Sequence, residues 1–465
     1  VDNLRWLAKR GSEQEAAKLN YDVLCDFEFI DKVESSGVTF KNECVEDASK
    51  VNIAGHYDHG NGIAVADVDN DGLLDVYWTT QIGSNQLWRN LGSGQFENIT
   101  TPALTLADRI SVAASFADTD NDGDSDLFVT SVRGGNALFT NDGKGRFTEI
   151  TSESGLGYEG HSSAGVFFDF DRDGLLDLFV CNVGVYTQKD VRGPGGFFRV
   201  VKDAFAGHLK PDTRNERSLL YRNTGNNRFV DVTESMGLID YSWAGDASPI
   251  DANGDGWMDL YVLNMQGHDE YYENVNGKAF KKRSREVFRK TSWGAMGVKF
   301  FDYNNDGTLD LYITDMHSDM SQLIKFGEEN QKSSVKWPES FLRSGGQSIY
   351  GNTFFRNDSG MFTEVSDEVN AENYWPWGLS AGDLNADGFE DVFVACSMNY
   401  PFAYSVNKIL LNEKGQRFLD SEFILGIEPR RGGRSAAPCF KLDPTGPDKD
   451  HQMVALENLT EPVEI

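Results

Sequence analysis

A nine-residue acidic phrase, Asp67-Val68-Asp69-Asn70-Asp71-Gly72-Leu73-Leu74-Asp75, recurs along this chain and constrains its fold more than any other feature. Further copies begin at Asp118, Asp169, Asp251, Asp302 and Asp383, so successive starts lie 51, 51, 82, 51 and 81 residues apart. One structural unit of 51 residues, with about thirty residues inserted in two copies, accounts for this spacing, and a fixed period of that length is the signature of a repeat architecture. A segment beginning at Asp443 lies sixty residues after Asp383 and reads as a seventh, degenerate copy.

The surroundings of each copy are also repeated. A small-residue and apolar segment such as Gly62-Ile63-Ala64-Val65-Ala66 precedes the phrase, and a short apolar run follows it: Val76-Tyr77-Trp78, Leu127-Phe128-Val129, Leu178-Phe179-Val180, Leu260-Tyr261-Val262, Leu311-Tyr312-Ile313 and Val392-Phe393-Val394. Apolar runs of this length bounded by Gly and Asp are expected to be buried strands. A hairpin then turns through glycine, from Leu87-Trp88-Arg89-Asn90 to Phe96 in the first copy. Four short strands per unit make a propeller blade.

Final-strand phrases start at Phe96, Phe147, Phe229, Phe280, Phe362 and Phe418, and a seventh, Phe29-Ile30-Asp31-Lys32-Val33, precedes the first acidic loop. The expectation is therefore an all-β, seven-bladed propeller over residues 27–465. Its N-terminal strand completes the last blade, and a lead-in segment spans residues 1–26. Insertions fall at about 184–217 and 315–350.

The acidic phrase has the chemistry of a calcium loop. Side-chain oxygens at positions 1, 3 and 5, a glycine at position 6 for the sharp turn, a carbonyl at position 7 and an Asp at position 9 offer a flexible cage of hard oxygens. That arrangement suits Ca²⁺ better than Mg²⁺. The expected ligands are Asp67, Asp69, Asp71 and Asp75; Asp118, Asp120, Asp122 and Asp126; Asp169, Asp171, Asp173 and Asp177; Asp251, Asn253, Asp255 and Asp259; Asp302, Asn304, Asp306 and Asp310; and Asp383, Asn385, Asp387 and Asp391. The phrase is not an EF-hand, because its twelfth position is Trp78 in the first copy and Val180 in the third instead of Glu. The alternative is a set of acidic turns without metal. About six Ca²⁺ would move the formal charge of the chain from −30 to −18. The acidity speaks against nucleic acid as a partner, and no apolar run is long enough to span a membrane.

With loops joining first and second strands, all of them lie on one face, and both insertions lie on the other. That opposite face is expected to carry His59, Arg109, His161, Trp243, Trp293, Trp375, Trp377 and Arg434, each shortly before its loop in sequence. These residues either form an aromatic and cationic rim or plug the channel as core. Cys25 and Cys44 either pair in an oxidising compartment or are buried thiols.

The unit as a whole resembles the FG-GAP, or VCBS-type, repeat of integrin α-subunit propellers. The phrases Phe147 to Leu156 and Phe229-Val230-Asp231-Val232-Thr233-Glu234-Ser235-Met236-Gly237-Leu238 are similar to those of the cartilage acidic protein family. The resemblance implies a seven-bladed, calcium-binding propeller that is secreted, periplasmic or on the cell surface. Three functions stay open: a protein-binding, adhesion or scaffold module; a lectin-like propeller that stacks glycans on Trp; and a polysaccharide-acting enzyme. No nucleophile elbow, HExxH motif, phosphate-binding loop or GxGxxG motif points to the last.

Overall fold

In the computed structural model, the residues described are 5–43, 62–192, 198–200, 216–316, 340, 346, 348–373, 375–396, 406–430, 441–451, 454–455 and 458–464. Strand order follows the repeat. Blade one comprises Ile63–Ala66, Asp75–Trp78, Gln86–Asn90 and Phe96–Asn98, and blade two Ile110–Ala117, Asp126–Val132, Ala137–Asn141 and Phe147–Glu149. Blade three comprises Ser162–Phe168, Asp177–Asn182, Leu219–Asn223 and Phe229–Asp231, and blade four Ala244–Ile250, Asp259–Asn264, Glu270–Asn274 and Phe280–Lys282. Blade five comprises Ala295–Phe301, Asp310–Asp315, Thr353–Asn357 and Phe362–Glu364, and blade six Pro376–Gly382, Asp391–Cys396, Lys408–Asn412 and Phe418–Asp420. Each blade is a four-stranded antiparallel sheet with its strands in chain order.

The second strands are buried along most of their length, as expected for strands covered on both faces by neighbouring sheets. First strands of consecutive blades touch in succession from one to six, so the acidic loops between first and second strands gather at one end. Both insertions join second to third strands, in blades three and five, and so leave from the opposite end.

The blade count corrects the sequence expectation. Six four-stranded sheets are present among the described residues, not seven. Among the described residues, the segment expected to build the seventh forms a two-residue pairing of Lys441–Leu442 with Val463–Glu464. The reason lies in its loop, Asp443-Pro444-Thr445-Gly446-Pro447-Asp448. In the six intact loops the position-2 N–H donates to the position-9 Asp, and the position-5 N–H donates to the position-1 Asp. Pro444 and Pro447 occupy those two places and have no N–H to give.

Residues ahead of blade one pack on blade six. The Arg5–Lys18 helix buries Leu7, and Gln14 accepts a hydrogen bond from the Phe423 N–H at 2.9 Å. Cys25 lies with Ile409, Leu411, Leu419 and Leu425 in one apolar cluster as a free, buried thiol; Cys44 lies outside the described residues. The Phe29 N–H donates to Leu425 O at 2.8 Å, repeating the bond that Phe418 makes to Val369 O, also 2.8 Å, between blades six and five. Further on, Gln95 of blade one donates to Ser35 O at 2.6 Å. Residues 29–37 thus bridge the last blade to the first, whose first strands make no comparable contact among the described residues.

Candidate metal centre

Each acidic loop is held by the same hydrogen bonds. The position-1 carboxylate accepts the N–H groups of positions 5 and 6, as Asp67 does from Asp71 at 3.1 Å and Gly72 at 2.8 Å. The position-5 carboxylate accepts the N–H of position 7, as Asp71 does from Leu73 at 2.8 Å. Glycine at position 6 is required by the backbone alone: φ is +86° at Gly72 and +93° at Gly123, where a Cβ would meet nothing within 4 Å.

The position-9 aspartates, Asp75, Asp126, Asp177, Asp259, Asp310 and Asp391, are buried beneath their loops. One oxygen of each accepts the position-2 N–H, and the other accepts the backbone N–H of the Asn that ends the third strand, at 2.7 Å for Asn90–Asp75 and Asn274–Asp259. Burial pushes Asp126, Asp259 and Asp391 up to about 6 and Asp177 and Asp310 to about 7, with neighbouring loop carboxylates adding to the shift.

Position 3 divides the loops. Oδ1 of Asp69, Asp120 and Asp171 is enclosed and accepts no hydrogen bond, an arrangement that costs free energy unless a cation meets it. Ligand oxygens of Asp67, Asp69 and Asp71 lie within 4.8 Å of one another, as do those of Asp118, Asp120 and Asp122, and those of Asp169, Asp171 and Asp177. In loops four to six an amide stands at position 3 instead. Asn253, Asn304 and Asn385 donate Nδ2 to Asp255, Asp306 and Asp387 at 3.1, 2.9 and 3.0 Å. These donor sets fit a hard divalent cation best in the first three loops, where one enclosed carboxylate oxygen per loop accepts no hydrogen bond.

The loops are also tied to one another. At position 4, Asn70 donates to Asp124 of the second loop at 2.9 Å, Asn121 to Gly174 O of the third at 2.8 Å, and Asn305 to Gly388 O of the sixth at 2.9 Å. The guanidinium of Arg172 lies 5.2 Å from the Trp257 ring of the fourth loop. The third-strand Asn, repeated in every blade, reaches backwards. Asn141, Asn223, Asn274 and Asn412 donate Nδ2 to the position-2 carbonyls Val68, Thr119, Phe170 and Tyr303 of the preceding loops at 2.7–2.8 Å. Sequence reasoning registered this Asn only as part of a strand; its presence at the same place in all six copies was the available signal.

On the opposite face the expected rim residues separate. Trp243 is enclosed, in an apolar cluster with Val183, Tyr186 and Met265. His161 is buried as well, its Nδ1 2.9 Å from Glu216 and its Nε2 2.8 Å from the Thr187 hydroxyl, which clamps both ends of the first insertion. Burial raises the Glu216 carboxyl, but the hydrogen bonds and charge of His161 together with the Arg133 guanidinium hold it below the usual range. Arg109 donates to Gly135 O at 3.2 Å and pairs with Glu149 at 3.1 Å. Trp293 is half-buried, its ring 5.9 Å from that of the exposed Tyr350. Trp375 and Trp377 are half-buried at the start of blade six. His59 and Arg434 lie outside the described residues.

The FG-GAP-like repeat family matches residues 67–129, 118–180, 251–313 and 337–394, half of the chain in total. This chain belongs to the FG-GAP-like repeat family. Among curated relatives, Cartilage acidic protein 1 of Mus musculus is 28% identical over 193 residues, 38% of this chain and 29% of that protein. The Xenopus tropicalis protein of the same name is 26% identical over 312 residues, 62% of this chain and 43% of that protein. The FG-GAP-like chain thus spans less than half the length of these relatives. Among solved structures, the Vibrio cholerae biofilm matrix protein Bap1 is similar at 13% identity, covering 59% of this chain and 37% of that one with a TM-score of 0.29. BBS1N in complex with ARL6DN is similar at 9% identity, covering 79% and 84% with a TM-score of 0.40. No helix of the described residues is long and apolar enough to cross a membrane.

Proposed function

We propose that this FG-GAP propeller is a calcium-stabilised module that works outside the cytosol and binds a protein partner on its insertion-bearing face. The observation that carries the calcium reading is the set of three enclosed carboxylate oxygens, on Asp69, Asp120 and Asp171, each within an acidic loop. Asp67, Asp69 and Asp71, and their counterparts in the other copies, would hold the ion, which supplies positive charge where carboxylates crowd. Affinities of extracellular calcium modules match millimolar Ca²⁺, and the relatives named for cartilage agree with that setting.

The partner reading rests on the two insertions leaving the same end of the ring, beside the half-exposed Trp293–Tyr350 pair. Aromatic residues of this kind anchor protein interfaces. The same pair favours a second reading, a glycan stacked on the aromatic rings.

Scanning calorimetry of the full chain in Ca²⁺ and in EDTA tests the metal: the melting temperature falls on chelation, and an unchanged value rejects structural calcium. Cross-linking to an extracellular-matrix extract, read by mass spectrometry, tests the face. Cross-links gather at residues 184–217 and 315–350 if a protein docks there, whereas cross-links confined to the loop face reject it.

A further inference from the structure

We propose that the six loops form two banks of cation sites, a tight one in blades one to three and a weak one in blades four to six. The inference rests on the calcium reading and concerns what position 3 does to each loop. In the first bank, Asp69, Asp120 and Asp171 each hold an enclosed Oδ1 that accepts no hydrogen bond. Little has to be undone before that oxygen meets an ion, because the groups that already meet each carboxylate, Arg89, Asn227 and Arg222, lie at its other oxygen.

The second bank is already closed on itself. Oδ1 of Asn253, Asn304 and Asn385 accepts the N–H of Asp255, Asp306 and Asp387 at 2.9, 3.1 and 3.0 Å. The same three amides donate Nδ2 to those aspartates' carboxylates. Turning an amide over would set its oxygen against a carboxylate and its NH₂ against a backbone N–H, so the observed orientation is the one that chemistry selects. An ion entering such a loop competes with an N–H for the position-5 oxygen and meets three carboxylates instead of four. Charge count tunes the affinity of calcium loops over decades, and the weak bank is expected to bind roughly tenfold or more less tightly.

A second contrast ranks the tight bank internally. The Arg89 guanidinium lies 3.7 Å from Asp69 in loop one, and Arg222 lies 2.7 Å from Asp171 and 3.4 Å from Asp173 in loop three. These arginines are resident counter-ions that an incoming cation must displace or tolerate. At the matching place blade two has Thr140, and loop two adds a fifth carboxylate, Asp124. The Asn227 amide donates to the outer oxygen of Asp120 at 2.7 Å, but it is neutral and brings no positive charge against the ion, so loop two is the tightest site.

The test is a Ca²⁺ titration of the full, metal-stripped chain by equilibrium dialysis with calorimetry. Three equivalents bind first and three more follow at about tenfold or higher concentration. Asn304→Asp moves one equivalent into the tight class, and Asp120→Asn moves one out of it, with folding of both variants checked by circular dichroism. Six indistinguishable equivalents, or variants that leave the partition unchanged, overturn the two banks while leaving calcium binding intact. No bound Ca²⁺ at all overturns the calcium reading itself.

Discussion

Removing the Asn274 amide tests whether blades are joined through their acidic loops. Its Nδ2 donates to Phe170 O of the preceding loop at 2.8 Å and to Met258 O at 3.0 Å, and its Oδ1 accepts the Gly277 N–H at 2.8 Å. The side chain is 1% exposed, so water cannot readily replace these bonds in Asn274→Ala. Each bond contributes about 1 kcal/mol, and a stranded buried partner costs about 1–3 kcal/mol, giving a loss of about 3–5 kcal/mol. Asn90 is the internal control. It occupies the same strand position but sits in the first blade, donates to Leu74 O at 3.1 Å within its own unit, and is only half-buried. Asn90→Ala should cost about 1 kcal/mol, because water reaches the groups it leaves. Urea unfolding followed by tryptophan fluorescence, at matched slopes, gives both values. If Asn274→Ala costs no more than Asn90→Ala, the backward-reaching amide does not join the blades and the reasoning fails.

Three further outcomes follow from buried groups elsewhere. Trp243→Ala should lose about 3–5 kcal/mol in the same unfolding assay, as expected for core truncation; a loss within about 0.5 kcal/mol would place the ring at the surface. The Glu364 carboxyl, pushed up to about 6 by burial although it accepts the Ser366 and Phe354 N–H groups, is penalised when ionised. The penalty is absent below about pH 4.5 and complete above about pH 6, so Glu364→Gln should add up to about 2 kcal/mol of stability at pH 7 and nothing at pH 4; equal differences at the two pH values would contradict it. His161→Leu leaves Glu216 and the Thr187 hydroxyl without their shared partner. That should cost about 1.5 kcal/mol locally and speed limited proteolysis within residues 184–217 roughly tenfold, and an unchanged cleavage rate would show that His161 does not clamp the insertion.

The repeat made six blades legible because each acidic phrase sits between two apolar runs that must pair. Asp75 and its counterparts lie at the start of second strands, and Phe96 and its counterparts begin fourth strands, where the pattern placed them. The seventh blade differs from the expectation because the copy at Asp443 lies sixty residues on instead of 51, and Pro444 and Pro447 remove the N–H groups that shape the loop. At the rim positions the sequence leaves open whether the side chains line a surface or fill the core, and they divide. Trp243 stands eight residues before its loop and Trp293 nine, so the two are one residue out of register: just after the second strand, the Met265 N–H donates to Trp243 O whereas the Met316 N–H donates to Gly294 O. Val183 and Tyr186 join Trp243 in one core, whereas the half-buried Trp293 ring lies against the exposed Tyr350. Periodicity ranks equivalent positions and is silent about insertions.

The acidic phrase performs two separable tasks, and the separation explains why Asn is tolerated at position 3. Its aspartates at positions 1, 5 and 9 already spend oxygens on backbone N–H groups, and its position-2 carbonyl receives the next blade's Asn amide in four of the loops. That scaffold needs carboxylates as acceptors whether or not a cation is present, because a neutral amide offers one acceptor oxygen where an aspartate offers two. At position 3 of loops one to three the inner oxygen is without a hydrogen bond, and the outer one meets Arg89, Asn227 or Arg222 from outside the turn. It is therefore the one acidic position that is free to change without dismantling the turn. Replacement by Asn in blades four to six is what a chain would accumulate if blade joining were required everywhere and tight cation binding only in part of the ring.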